Sequence, residues 1–242
     1  MSAEGFTRSR FPTDESGREV VTVGDPKSSR PVILLHELGG LSEPTMDYAA
    51  MLADSGCVVH MPVVFGSVGQ GSTLKGAVQL CWGRQLTLLL SDRRPKLAGW
   101  LAEFSRHIAE GAGHAPVVIG MCATGGVVFS VMMLDSVGGA VAAQPSLPYR
   151  RSGATFSKSN LGSTSEDVEA SIASGKPFVA LRFQQDGMCP AGRLTKIAEL
   201  FGEDSTLEVD GGGHSTLVYD YRDDAHAAVL ALLDEVFGPA AE

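Results

Sequence analysis

Apolar residues fall in short unbroken runs along this chain, not in the strict alternation of a half-exposed sheet. Pro31-Val32-Ile33-Leu34-Leu35, Cys57-Val58-Val59-His60-Met61, Val117-Val118-Ile119-Gly120-Met121, Gly139-Ala140-Val141-Ala142-Ala143 and Phe178-Val179-Ala180-Leu181-Arg182-Phe183 are of this kind. Such runs, bounded by turn residues, read as strands buried on both faces. Two more strands are predicted near 19–23 and 206–210. Between the runs the spacing turns helical, near 45–55, 84–90, 96–110, 125–137, 190–201 and 222–237. Strands alternating with helices imply an α/β fold, a mostly parallel central sheet flanked by helices.

Residues 144–177 break that rhythm. The segment is rich in serine, contains Pro145 and Pro148, and is too long for a plain connection. Ser163-Thr164-Ser165-Glu166 is a capping-box candidate that would start a short helix over 165–173. The segment is expected to cap or border a pocket, the alternative being a surface linker without a role. The glycine-rich stretch Gly66 to Ser72 lacks the Lys-Ser/Thr of a phosphate loop and reads as a flexible loop bordering the pocket. The whole chain, 1–242, is expected to form a single domain.

The chemistry gathers where these runs end. After the third of them comes Gly120-Met121-Cys122-Ala123-Thr124-Gly125-Gly126, a strand-to-helix corner with small residues around one cysteine. A corner of this kind lifts a nucleophile above the sheet, and a helix N-terminus favours thiolate over thiol. Taken alone, the cysteine could equally be a small buried hydrophobe. In hydrolases built this way the acid and base follow in that order, each on a loop after a strand. Gln184-Gln185-Asp186-Gly187 supplies the acid and Gly211-Gly212-Gly213-His214-Ser215 the histidine. Asp186 by itself is ordinary turn chemistry, but three glycines before a histidine are less easily explained so. Order, spacing and loop position together point to a Cys122, Asp186, His214 triad. The first buried run leads into His36-Glu37-Leu38-Gly39-Gly40, and the backbone amides of Leu38 and Ala123 are the candidate oxyanion donors.

Through His36-Glu37-Leu38-Gly39-Gly40, Gly120-Met121-Cys122-Ala123-Thr124-Gly125-Gly126, Asp186 and Gly213-His214-Ser215, the chain resembles the dienelactone hydrolase family over residues 17–238. The resemblance implies an α/β-hydrolase fold that opens esters or lactones through a cysteine acyl-enzyme, without metal or organic cofactor. It implies Cys122 as nucleophile, His214 as base, Asp186 as its orienting acid, and Glu37 as a carboxylate that engages the resting thiol. Read without the family, Glu37 is an acid among apolar neighbours that needs partners, or else a helix-N-terminal acid on a solvated loop. Thr124 departs from the glycine-rich elbow of many members. A second departure concerns substrate. Members acting on carboxylated lactones resemble one another in carrying two arginines that clamp the carboxylate, and alignment places Ser67 and Val218 at those positions. A less charged ester or lactone is therefore expected, with Arg150, Arg151 and Arg193 as residues that could restore a clamp.

Composition narrows the field. The net charge of -9, with no compensating basic run, argues against nucleic acid and anionic membranes as partners. The N-terminus carries no signal-peptide core and no run is long enough to span a bilayer, so a cytoplasmic protein with free thiols is expected. Cys57, Cys81, Cys122 and Cys189 have no metal or redox spacing. Cys57 and Cys189 read as packing residues, Cys189 with a place near the pocket mouth as the alternative. Nothing in the pattern fixes an oligomeric state. A thioesterase or acyltransferase with the same triad, a non-catalytic binder, and a thiol sensor resolved by Cys189 are the competing functions.

Overall fold

The computed structural model describes residues 5–12, 17–69 and 91–240. Eight strands form one sheet: β1 (Thr7–Phe11), β2 (Arg18–Val23), β3 (Pro31–Leu35), β4 (Val58–Pro62), β5 (Val117–Met121), β6 (Gly139–Ala143), β7 (Phe178–Phe183) and β8 (Thr206–Val209). Their order is β1-β2-β4-β3-β5-β6-β7-β8. The first two strands pair antiparallel, as do β2 and β4, and every later pair is parallel.

The apolar runs explain why both faces are covered. Side chains of a strand point alternately to the two faces. Ile33, Leu35, Val118, Ala140 and Ala180 join one core, while Val32, Leu34, Val117, Ile119, Val141 and Leu181 join the other. The first core is closed by α2 (Lys96–Ala112), α3 (Ser165–Ala173) and α4 (Ala191–Phe201). The second is closed by α1 (Glu43–Asp54), through Tyr48 and Leu52, and by α5 (Asp223–Phe237), through Val229 and Leu233. Parallel pairing brings the C-terminal ends of β3 to β8 to one edge. The loops that follow them, where open α/β sheets hold ligands, therefore lie together.

Strand positions agree with the sequence reading to within a residue at each end. β1 is the exception. Its Thr-Arg-Ser-Arg stretch is exposed and has no apolar face to betray it; it pairs along the sheet edge with Arg8 bonded to Glu19. The helix expected over 125–137 is instead a 3-10 helix (Cys122–Ser130) followed by turns. Gly125 and Gly126 with Val127 and Val128 are poor α-helix formers, and the backbone packs too closely on its neighbours to widen. The short helix expected at 165–173 is present as α3, with the Thr164 side chain accepting from the Asp167 N–H at 3.1 Å. Around it Phe156, Leu161 and Val168 are buried in the first core, so this part of the 144–177 excursion belongs to the body of the fold. The helix near 84–90, Cys81 and the stretch from Gln70 to Ser72 lie outside the described residues.

The close packing makes a prediction. A Cβ on Gly126 would sit 2.5 Å from the Leu161 carbonyl oxygen and 2.8 Å from the Gly162 Cα, both backbone atoms that cannot rotate away. Gly126→Ala should therefore lower stability by about 1–3 kcal/mol despite alanine's better helix propensity. An unchanged urea midpoint would refute this close approach.

Candidate active site

The corner after β5 is held by close contacts at several points. Cys122 adopts φ 51°, a left-handed backbone that costs a side-chain-bearing residue energy. Gly120 allows it, since a Cβ there would lie 2.5 Å from the Thr124 carbonyl oxygen. Gly125 lets the chain pass Pro145, whose Cα would be 2.7 Å from an added Cβ. Thr124 ties the corner down: its hydroxyl accepts the Met121 N–H at 3.0 Å and lies 3.1 Å from the Leu35 carbonyl oxygen. The Cys122 thiol is buried, with its Sγ 3.3 Å from the Ser146 hydroxyl, and the Ser146 N–H donates to the Cys122 carbonyl at 3.0 Å.

Two further loops bring an acid and a base to this corner. After β7, Asp186 Oδ1 accepts the N–H groups of Met188 (2.8 Å) and Cys189 (3.0 Å), and Oδ2 meets His214 Nδ1 at 2.8 Å. Arg182 anchors this loop from inside the strand, donating to the carbonyls of Cys189 and Gln184 at 2.8 and 2.9 Å and pairing with Glu208. The histidine loop turns through Gly213, φ 138°. Its chain approaches the Asp220 carboxylate, which accepts the His214 and Ser215 N–H groups at 2.9 and 3.1 Å. A Cβ on Gly213 would lie 2.9 Å from that carboxylate, which is the physical need for glycine before the histidine. Burial alone pushes the His214 pKa down. The Asp186 carboxylate on Nδ1 and the Cys122 sulfur outweigh burial and raise it to about 10. His214 Nε2 is buried and makes no hydrogen bond of good geometry to any described group.

Glu37 enters the site from the β3 end. Its Oε1 accepts the Ser215 hydroxyl at 2.6 Å and the Gln144 side-chain amide at 3.0 Å. Desolvation raises its pKa, against the lowering pull of Ser215, His214 and Gln144. Among the described residues, the partners of Oε1 are thus Ser215 on the histidine loop and Gln144. The preceding His36 is fully buried and neutral, its pKa lowered to about 4 by burial. Its Nε2 accepts the Val64 N–H at 2.9 Å, so Nδ1 carries the proton and donates to the Glu37 carbonyl at 2.7 Å. One imidazole thereby joins the loops after β3 and β4.

A model of the dienelactone hydrolase family matches residues 20–229, most of the chain. The chain belongs to the dienelactone hydrolase family. A comparison with curated proteins finds no match. Among solved structures, a putative dienelactone hydrolase from Klebsiella pneumoniae is similar with a TM-score of 0.65 at 14% identity, covering 96% of this chain and 97% of that one. A dienelactone hydrolase-like promiscuous phosphotriesterase from metagenomic libraries has a TM-score of 0.60 at 14% identity, covering 97% and 100%. A monoacylglycerol lipase from Paleococcus ferrophilus has a TM-score of 0.58 at 16% identity, covering 89% and 98%. These likenesses show the α/β-hydrolase fold.

Set in that family, the remaining sequence candidates separate. Leu38 is half-buried on the loop after β3, and Ala123 is buried directly after the thiol. Ser67 is exposed, and Val218 packs against the second core. Arg193 cannot act as a substrate clamp. It is fully buried, its guanidinium bonds the Leu147 and Pro148 carbonyls, and it lies 4.9 Å over the Phe156 ring. Arg150 lies 6.0 Å over the same ring and Arg151 is exposed. Cys189 is fully buried, with no place on the surface of the mouth. Among the described residues no group of three or more His, Cys, Asp or Glu could hold a metal ion, and no helix is long and apolar enough to cross a membrane.

Sequence reading missed Gln144, Ser146 and Asp220. Gln144 carried a signal: a polar side chain ends an otherwise apolar strand and precedes a proline, where φ 35° is unusual. Its Oε1 accepts the Thr216 hydroxyl at 2.6 Å, completing a buried chain from Glu37 to the histidine loop.

The raised His214 pKa makes a prediction about stability. A histidine whose folded pKa lies above its unfolded value of 6.5 stabilises the fold fully below pH 6.5, and the contribution disappears as pH rises through about 10. Asp186→Asn keeps the acceptor for the Met188 and Cys189 N–H groups but removes the charge. Its destabilisation in urea should be larger at pH 6 than at pH 10, and equal losses at both would contradict the ion pair.

Proposed function

We propose that the protein hydrolyses an ester or lactone through an acyl-enzyme on Cys122. The observation that carries this reading is the 2.8 Å contact between His214 Nδ1 and Asp186 Oδ2, with the Cys122 sulfur acting on the same ring. The high basicity of His214 favours the proton on the imidazole, so the sulfur attacks the carbonyl carbon as thiolate. The tetrahedral oxyanion would be met by the Leu38 and Ala123 amides, each such donor contributing about 3 kcal/mol to transition-state stabilisation. Collapse breaks the C–O bond, and the imidazolium gives its proton to the leaving alkoxide. His214 then takes a proton from water, whose oxygen attacks the thioester; collapse breaks the C–S bond, releases the acid and leaves the thiolate beside the imidazolium. Asp186 keeps the ring oriented throughout.

The substrate favoured is neutral at the end that would otherwise face the arginine clamp. Ser67 and Val218 offer no positive charge, and Arg193 is held by backbone carbonyls. A carboxylate buried without a partner costs several kcal/mol.

At limiting iodoacetamide Cys122 should be alkylated before Cys57 and Cys189, since burial raises the Cys57 pKa and pushes Cys189 up to about 12. Cys122→Ala and His214→Ala should each lower ester turnover by at least about 1000-fold with circular dichroism unchanged. Near-normal turnover in either variant removes that residue from the mechanism. On a carboxylated lactone and its methyl ester, turnover should favour the methyl ester, and a clear preference for the free acid would reject the substrate assignment.

A further inference from the structure

The sulfur and the two carboxylates do not share the site as a simple triad with a spare acid. Ser146 lies within hydrogen-bonding distance of the sulfur, 3.3 Å from Oγ to Sγ, beside the His214 ring on which the sulfur also acts. It is 3% exposed, and its own N–H is fixed on the Cys122 carbonyl at 3.0 Å, so hydroxyl and thiol are locked to one frame. Glu37, by contrast, commits its Oε1 to two donors, the Ser215 hydroxyl and the Gln144 amide. Ser215 follows the histidine directly, and its hydroxyl also accepts the Tyr219 N–H at 3.0 Å. Thr216 bonds Gln144 in turn at 2.6 Å. The carboxylate therefore grips the chain immediately after His214, apart from the Asp186 contact on the ring.

We propose a division of labour in which Ser146 donates its hydroxyl proton to the Cys122 sulfur, and Glu37 is a positioning residue that holds the histidine loop through Ser215. A thiolate accepts hydrogen bonds and cannot donate, so whenever the sulfur is the attacking thiolate the hydroxyl hydrogen points at it. When the sulfur acylates it loses its charge, and the hydroxyl is released from its partner. A donor to an anion favours the anion, so Ser146 makes the nucleophile available. Glu37 acts through Ser215 and Gln144; removing it loosens both and lets the imidazole drift from its line between sulfur and Asp186. The other titratable groups acting here are His214, with Asp186 behind it, and the neutral Cys189 thiol.

This inference rests on Cys122 being the nucleophile, and the experiment separates the two ideas. The rate of iodoacetamide alkylation of Cys122, followed by mass spectrometry of the intact protein across pH, gives the midpoint at which thiolate forms. Ser146→Ala should raise that midpoint by about one unit, the shift expected for losing one hydrogen bond to a charged group. Ser146→Thr, which keeps the hydroxyl, should restore it. Should Ser146→Ala not fold, Ser146→Gly carries the same comparison. Glu37→Ala should lower kcat at least about tenfold while raising the midpoint by less than Ser146→Ala does. A midpoint unmoved by loss of the Ser146 hydroxyl, or raised more by Glu37→Ala than by Ser146→Ala, overturns the proposal. If Cys122→Ala retains full ester turnover, the nucleophile reading itself fails, whatever the midpoints do.

Discussion

The site depends on a backbone conformation that Cys122 would not adopt alone. A left-handed φ at a residue with a side chain persists only where its surroundings over-determine it. Here they do so by proximity of main chain to main chain. Gly120 lets Thr124 close over the strand end, Gly125 lets the turn meet Pro145, and Gly126 rests on Leu161 and Gly162. The same contacts bring the loop after β6 against the corner, which is what delivers Ser146 to the sulfur. Small residues in this segment are therefore spatial requirements of two loops at once, and the tight 3-10 course of Cys122–Ser130 is their consequence.

The fold was largely legible because buried parallel strands write themselves as unbroken apolar runs, and β3 to β7 fall where those runs lie. β1 was hidden because an exposed edge strand needs no apolar face. The helix after Cys122 was misjudged because apolar composition reports burial, whereas helix type here is decided by how closely two backbones approach. For the candidate site, the meeting of Cys122, Asp186 and His214 was readable from chain order, and Gly213 from the triple glycine. Ser146 and Asp220 carried no signal, since an isolated serine or aspartate on a loop has many ordinary uses, and only the fold decides what it faces. Arg182 and Arg193 show the same ambiguity in reverse. Both are arginines in buried segments, and both proved to be anchors that bond loop carbonyls.

Two acids approach the histidine loop, and their partners separate their roles. Asp186 receives two backbone N–H groups and the imidazole, a set of donors fixed in direction by the turn that contains it. Glu37 receives a hydroxyl and a side-chain amide, is desolvated, and has its pKa raised. The first arrangement suits a group that must hold charge beside an imidazolium; the second suits one that must hold shape. The distinction follows from hydrogen-bond inventory, because backbone donors cannot rotate away whereas a hydroxyl and an amide adapt. It also explains why a neutral His36 lies beside Glu37: with Nε2 accepting from Val64 and Nδ1 bonded to the Glu37 carbonyl, it fixes the backbone of the acid without adding charge to the site. Asp186, His214 and the Cys122 sulfur thus interact in one line, and the surrounding polar groups hold the loops that carry it.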